Sequence, residues 1–347
     1  NELENLYKNT IKSNPKYLNA YMDLMDLYER RNEDEKLFKI IKKAEINFEN
    51  NDFVNLFKGK NYFKKEKYSK VISLLETISF KLDTLEQSRC LVLAKSYDKE
   101  NNTEAAYKYF VKMNELSLKN KKKNIDKNNF LNLINERTKY FQKQNIQKSL
   151  EFKNNYNINN PVFMIGFPRS GTTLLDTILR SHPLIEVIEE KPLIYEVLFE
   201  LKNLNRRDFT NLKDLNLKEI ETVRKNYFNK RLKYTKKENK NKIYIDKFPL
   251  NIIYSAEIFR IFPNAKFVLS LRNPYDCILS CFMQDFILND AMANFLSVKD
   301  TSVVYDKVMK LWNQYLDIFQ IQHHVIKYED LVENFDSTTK KILEFLN

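Results

Sequence analysis

The sequence predicts two fold classes in one chain. An all-α array of helical repeats fills residues 1–150, and an α/β domain with a parallel sheet and helices on both faces fills 151–347. Three observations carry this. Seven of the eight prolines lie between Pro161 and Pro274, and two of the three glycines stand at 166 and 171, so helix-breaking residues crowd into the second half. A tyrosine recurs at 28, 62 and 97. An apolar run from Val162 to Ile165 stops at a glycine and leads into a helix-competent segment, Leu174 to Ser181.

The helical half follows from spacing. Tyr28, Tyr62 and Tyr97 stand 34 and 35 residues apart. Three positions before each sits Met25, Gly59 or Ala94, a small or slender residue where two helices must approach. Nine positions after each comes Leu37, Val71 or Ala106, and thirteen after comes Ile41, Leu75 or Phe110. This spacing resembles the tetratricopeptide (TPR) repeat, a helix pair of about 34 residues whose stacking buries apolar faces that one pair cannot bury alone. Pro15 takes the place of that repeat's closing proline. In this register Asn1 to Lys16 is the second helix of an earlier repeat, so its partner helix is expected upstream of Asn1. Lys119 to Lys123 reads as a solvated linker, Phe130 to Leu150 as a further helix, and the polar stretch Lys153 to Asn160 as the boundary. Such a stack presents a concave surface suited to a peptide or protein partner.

In the second half, Gly166-Phe-Pro-Arg-Ser-Gly171-Thr-Thr has the glycine spacing of the phosphate loop GxxxxGK[ST]. There, successive backbone N–H groups and a helix N-terminus cradle an anion. Arg169, Ser170, Gly171, Thr172 and Thr173 are the candidate ligand-binding residues. Thr172 replaces the lysine that reaches the outer phosphates of a nucleoside triphosphate, which argues against a kinase or ATPase. The nearest candidate for a magnesium-binding aspartate, Asp246, leads directly into Lys247. Apolar strands at 162–165, 184–188, 243–245, 266–271 and 325–328 alternate with helical segments, the pattern of a covered parallel sheet. Ligands of such sheets bind beyond the carboxyl ends of the strands, where Gly166, Lys247 and Arg272 sit. Ser280 lies about two turns into the helix after Arg272, so the two are placed to grip one phosphate.

The formal net charge of +12 fits either a Lys- and Asn-rich bias over solvated faces or a basic field for an anionic ligand. Cys90, Cys277 and Cys281 form an odd set without CxxC spacing, and the three histidines are scattered. Neither a disulfide framework nor a metal centre is indicated, and a reducing, cytoplasmic setting fits best. No apolar run approaches the length of a membrane span, and no nucleic-acid partner is expected.

Phe167-Pro-Arg-Ser-Gly-Thr-Thr173 resembles the 5′-phosphosulfate loop of sulfotransferases, in the branch holding tyrosylprotein sulfotransferases and bacterial TPR-linked sulfotransferases. The resemblance runs over about residues 161 to 346. Ile243-Tyr-Ile-Asp-Lys-Phe-Pro-Leu-Asn251 is similar to the second element, a strand followed by a lysine and a proline. Lys266 to Arg272, then Asn-Pro-Tyr-Asp-Cys-Ile-Leu-Ser280, is similar to the 3′-phosphate element, and Val325-Ile-Lys-Tyr-Glu-Asp-Leu331 to a late strand-to-helix element. The fold expected is therefore a P-loop sulfotransferase domain behind a TPR-like arm.

The resemblance implies 3′-phosphoadenosine 5′-phosphosulfate (PAPS) as sulfuryl donor, no metal, and an acceptor hydroxyl, with a protein tyrosine in view. Arg169, the loop amides and Lys247 would stabilise charge at the leaving oxygen, and Arg272 with Ser280 would hold the 3′-phosphate. Glu190, 21 residues after Arg169, has the offset of that branch's catalytic glutamate and is the expected base. Glu189 is its rival; adjacent strand residues point to opposite faces, so one of the two is expected to reach the site. The small-molecule branch uses a histidine after the lysine strand, whereas Phe248 and Pro249 follow Lys247 here. The loop from Lys230 to Lys242 is either solvated or a lure for acidic residues around an acceptor. The family pattern continues past the last helix, so a tail is expected after Asn347. The alternatives are a P-loop kinase or NTPase, which Thr172 opposes, and a non-catalytic TPR scaffold, which the retention of Arg169, Glu190, Lys247, Arg272 and Ser280 opposes.

Overall fold

The computed structural model describes residues 2–142, 160–204, 208–235, 239 and 241–346. Two compact units make up the chain, one of 1–125 with 285–288 and the other of 126–284 with 289–347. The boundary expected at 153–160 lies, Asn160 apart, outside the described residues, as does the expected helix beyond 142.

The first unit carries helices α1 (Glu2–Ser13), α2 (Leu18–Arg30), α3 (Asp34–Asn47), α4 (Asp52–Lys64), α5 (Tyr68–Leu75), α6 (Asp83–Lys99) and α7 (Thr103–Lys119). Its repetition is built into the turns. The carbonyls of Tyr28, Tyr62 and Tyr97 each accept the N–H five residues on, from Glu33, Lys67 and Asn102, at 3.0, 2.9 and 2.9 Å. The residue between, Asn32, Glu66 or Asn101, takes a positive φ of 54°, 56° or 59°. This is the left-handed C-terminal cap that ends one helix and turns the chain into the next. The stripe residues Leu37, Val71, Leu75 and Ile41 are buried at 0–2% exposure. Gly59 marks a close crossing of α4 and α5, because a Cβ there would stand 2.7 Å from the Leu75 side chain.

The second unit opens with α8 (Lys127–Phe141). It is fixed by a buried ion pair: Arg137 donates to both carboxylate oxygens of Glu257, at 2.9 and 2.6 Å. Its guanidinium lies 4.6 Å from the Phe209 ring centre and 4.9 Å from that of Tyr254. The sheet consists of β1 (Val162–Gly166), β2 (Ile185–Glu189), β3 (Ile243–Lys247), β4 (Lys266–Leu271) and β5 (Gln322–Lys327). The order is β2-β3-β1-β4-β5, with every pairing parallel, as expected. Connections run through α9 (Thr172–Arg180), α10 (Leu193–Asn203), α11 (Leu217–Leu232), α12 (Ser255–Ile261), α13 (Pro274–Phe282) and α14 (Val298–Ile318). The short α15 (Tyr328–Glu333) and α16 (Phe335–Leu346) follow β5.

Alternation along β1 divides the core. Val162 and Met164 face Leu175 and Leu179 of α9, Leu331 of α15 and Ile342 of α16. Phe163 faces the other way, into the rings of Tyr227, Phe262 and Phe267. All five β1 residues are buried, as a central strand covered on both faces requires. The carboxyl ends of β1, β3 and β4 are thereby brought side by side. Among the described residues no helix is long and apolar enough to cross a membrane.

Candidate active site

The loop between β1 and α9 is shaped by close approach. A Cβ on Gly166 would stand 2.6 Å from the Ser270 carbonyl oxygen of β4. Gly171 lies in the left-handed region at φ 93°, and a Cβ there would stand 2.5 Å from the Tyr328 ring. Ser270 Oγ donates to the Ser170 carbonyl at 2.8 Å, and Cys281 Sγ donates to that of Pro168 at 3.4 Å. Strand β4 and helix α13 thus hold the loop from two sides. The Cys277 thiol is pushed up to about 12 by burial, and the Cys281 thiol is raised for the same reason, so neither offers a nucleophilic thiolate.

Arg169 sits at φ 68°, a left-handed conformation costing roughly 1–3 kcal/mol for a residue with a Cβ. Its Nε donates to Ser280 Oγ at 3.0 Å. Ser170 is 1% exposed, and its hydroxyl has no hydrogen-bond partner among the described residues. Thr172 and Thr173 open α9, whose first-turn amides have no acceptor within the helix and whose dipole favours an anion.

Arg272 makes its contacts with Tyr328 and Asp276. Its guanidinium lies 4.7 Å from the Tyr328 ring centre, with Nη2 3.4 Å from Asp276 Oδ2. Its Nε is buried and has no partner among the described residues. Ser280 Oγ accepts from Arg169, so one hydroxyl links the loop to α13. Glu329 accepts the Asn273 N–H at 2.8 Å, a bond that holds its carboxyl below the usual range and fixes the turn after β4.

At the end of β3, the Lys247 side chain is fully buried. Its Nζ donates to Glu189 Oε1 at 2.9 Å and to Glu190 Oε1 at 3.2 Å. The expectation that only one of these glutamates reaches the site is overturned. Strand β2 ends at Glu189, Glu190 takes φ 49°, and its N–H donates to the Lys247 carbonyl at 2.8 Å. The left-handed residue cancels the alternation, so both carboxylates turn to one ammonium. The hydrogen bond from Lys247 holds the Glu189 carboxyl below its usual range.

The cationic loop, the buried lysine and the second arginine therefore lie at the carboxyl ends of three adjacent parallel strands. The sequence model of the sulfotransferase family matches residues 161–347, more than half of the chain. The chain belongs to the sulfotransferase family. An uncharacterized protein of Aquifex aeolicus is 23% identical over 288 residues, 79% of this chain and 36% of that protein. Protein-tyrosine sulfotransferase 2 of Gallus gallus is 25% identical over 191 residues, 53% of this chain and 50% of that protein. The chain thus spans between about a third and a half of the length of these curated relatives. A solved structure, sulfotransferase STF9 from Mycobacterium avium, aligns over 82% of each chain at 13% identity with a TM-score of 0.36.

Two residues of this sulfotransferase domain escaped the sequence reading. Asp176 of α9, 2% exposed, has Oδ2 3.8 Å from Lys247 Nζ. Arg180 donates to both oxygens of Asp176, each at 2.6 Å, and reaches Glu189 Oε2 at 3.4 Å. The only signal in the sequence was an acid and a base four apart on a helix, which reads as a surface pair. Tyr328, which packs on both Gly171 and Arg272, was visible only as part of the Tyr-Glu-Asp-Leu element.

Proposed function

We propose that this protein transfers the sulfuryl group of PAPS to an acceptor hydroxyl, and that the acceptor is a tyrosine of a peptide or protein. The observation that carries the reading is the set of cationic groups at the carboxyl ends of β1, β3 and β4, joined by two buried polar atoms with no partner among the described residues, Ser170 Oγ and Arg272 Nε. Buried polar atoms are usually satisfied, and a polyanionic substrate at these strand ends would complete both of these. The likeness to a protein-tyrosine sulfotransferase supports the acceptor, and the helical unit supports a macromolecular one.

In this reading the loop amides, Ser170, Thr172 and Thr173 hold the 5′ end of the donor, and Arg272 with Ser280 holds the 3′-phosphate. The acceptor oxygen bonds to sulfur as the bond from sulfur to the bridging phosphate oxygen breaks. The acceptor's proton passes to Glu190, and 3′-phosphoadenosine 5′-phosphate (PAP) leaves. Lys247 and Arg169 neutralise the charge that grows on the leaving oxygen, an electrostatic term worth roughly two to three decades of rate per donor group.

Calorimetric titration with PAP, with adenosine 5′-phosphate and with ATP–magnesium tests the substrate class. PAP should bind tightest. The Arg272→Ala change should erase one to two decades of the preference for PAP over adenosine 5′-phosphate, the size of a charge-assisted contact of roughly 1.5–3 kcal/mol. Tighter binding of ATP–magnesium, or discrimination unchanged in the variant, would contradict the reading.

A further inference from the structure

Lys247, Glu189, Arg180 and Asp176 form a closed ring of alternating charge. Going round, the separations are 2.9 Å from Lys247 to Glu189, 3.4 Å to Arg180, 2.6 Å to Asp176 and 3.8 Å back to Lys247. Two cations and two carboxylates leave the ring formally neutral. Glu190 stands outside it, and among the described residues its carboxylate has one cationic partner, Lys247 at 3.2 Å. We infer that Asp176 and Arg180 are positioning residues: they balance the charge of Lys247 through the ring and so leave Glu190 free to take a proton. This rests on the sulfuryl-transfer reading and assigns roles to two residues within it.

The reasoning is electrostatic. A fully buried ammonium keeps its charge only where carboxylates surround it. With Glu190 alone beside it, Lys247 would hold that carboxylate tightly and occupy the lone pairs a base needs. The ring distributes the attraction. The ammonium bonds to Glu189 at 2.9 Å and to Glu190 at 3.2 Å, Asp176 adds its charge at 3.8 Å, and Arg180 keeps Glu189 and Asp176 in place. It grips Asp176 through two parallel hydrogen bonds, the fork geometry that a guanidinium offers a carboxylate, and extends Nη2 to Glu189. Helix α9 supplies the spacing, because residues four apart share a face. The same helix begins at the anion-binding loop, so one rigid element sets both the loop and the ring.

Neutralising Asp176 alone should unbalance this arrangement. Arg180 then draws Glu189 toward itself, and Lys247 turns to Glu190. The test compares Asp176→Asn, Arg180→Gln, Arg180→Lys and the double variant Asp176→Asn/Arg180→Gln in the intact gene product. Transfer from PAPS to a synthetic peptide with one tyrosine among glutamates is followed against pH, and PAP binding is followed by calorimetry. Asp176→Asn should lower kcat about tenfold, the scale of coupling within one salt-bridge network, with KM for PAPS and PAP affinity within about threefold of the parent. The acidic limb of its kcat–pH profile should move to lower pH. The double variant should lose less than the product of the two single losses, and Arg180→Lys should fall between parent and Arg180→Gln.

Losses that multiply independently, or a parent-like pH profile with only KM or melting temperature changed, would overturn the ring. A parent that binds PAP and transfers while Asp176→Asn behaves like it would sink the ring and leave the sulfuryl-transfer reading standing. A parent that neither binds PAP nor transfers would sink both.

Discussion

Asp246 directly precedes Lys247 on β3 and is 1% exposed. Its Oδ2 accepts a hydrogen bond from the Tyr227 hydroxyl at 3.2 Å, while Oδ1 has no partner among the described residues. Burial pushes this carboxyl up to about 7, against the opposing effect of the Tyr227 bond. Between the unfolded value of 3.8 and about 7 the native state therefore holds a proton that the unfolded chain releases. The stability linked to that proton is present below the lower value and is lost as pH rises through the upper one. Asp246→Asn removes the titration, so its melting temperature should gain on the parent's between pH 5 and pH 8. Melting curves that shift in parallel across that range would contradict the assignment. The two glutamates beside Lys247 divide differently. Glu190→Gln keeps shape and removes the proposed base, so transfer should fall by about two to four decades with PAP binding retained. Glu189→Gln opens the ring and should cost about one decade, the size of a network coupling. Transfer kinetics with the tyrosine peptide decide this, and a Glu189→Gln variant deader than Glu190→Gln would reassign the base.

At the scale of elements, the loop between β1 and α9 depends on Gly171. Alanine there must adopt φ 93° and push its Cβ to 2.5 Å from the Tyr328 ring. Gly171→Ala should destabilise the protein by roughly 2–3 kcal/mol in denaturant unfolding, combining left-handed strain with overpacking. A variant as stable as the parent would mean the loop relaxes freely. This loop, the parallel strands and the helix pairs were legible in the sequence because each has a period or a glycine tied to a backbone need. Gly59 at the α4–α5 crossing is of that kind. The candidate site was legible only by halves. Lys247 and Arg272 announce themselves by ending apolar strands, and Arg169 by lying between two loop glycines. The convergence of Glu189 with Glu190 was hidden, because it turns on one backbone angle at a non-glycine residue. The ring was hidden too. Asp176 and Arg180 carry the spacing of an ordinary exposed helix pair, and only the register of β2 beside β3 brings Glu189 and Lys247 to them.

Over the whole molecule, two units with different construction share one chain. In the first, three turns of the same design recur at Asn32, Glu66 and Asn101, so its stability is spread over neighbouring helix pairs. In the second, one parallel sheet gathers the charged side chains at a single edge. The family match covers that second unit from residue 161 onward, and the proposal that the helical unit presents a peptide or protein acceptor is a separate claim. The central claim is the chemistry at the sheet edge. It is tested most directly by incubating the intact gene product and a tyrosine peptide with PAPS or with ATP–magnesium, then weighing the peptide by mass spectrometry. The account predicts one sulfuryl group on the tyrosine with PAPS alone, formed about a hundredfold more slowly by Arg169→Ala and by Lys247→Ala. A phosphoryl group gained from ATP–magnesium, or no PAPS-dependent product, would contradict it.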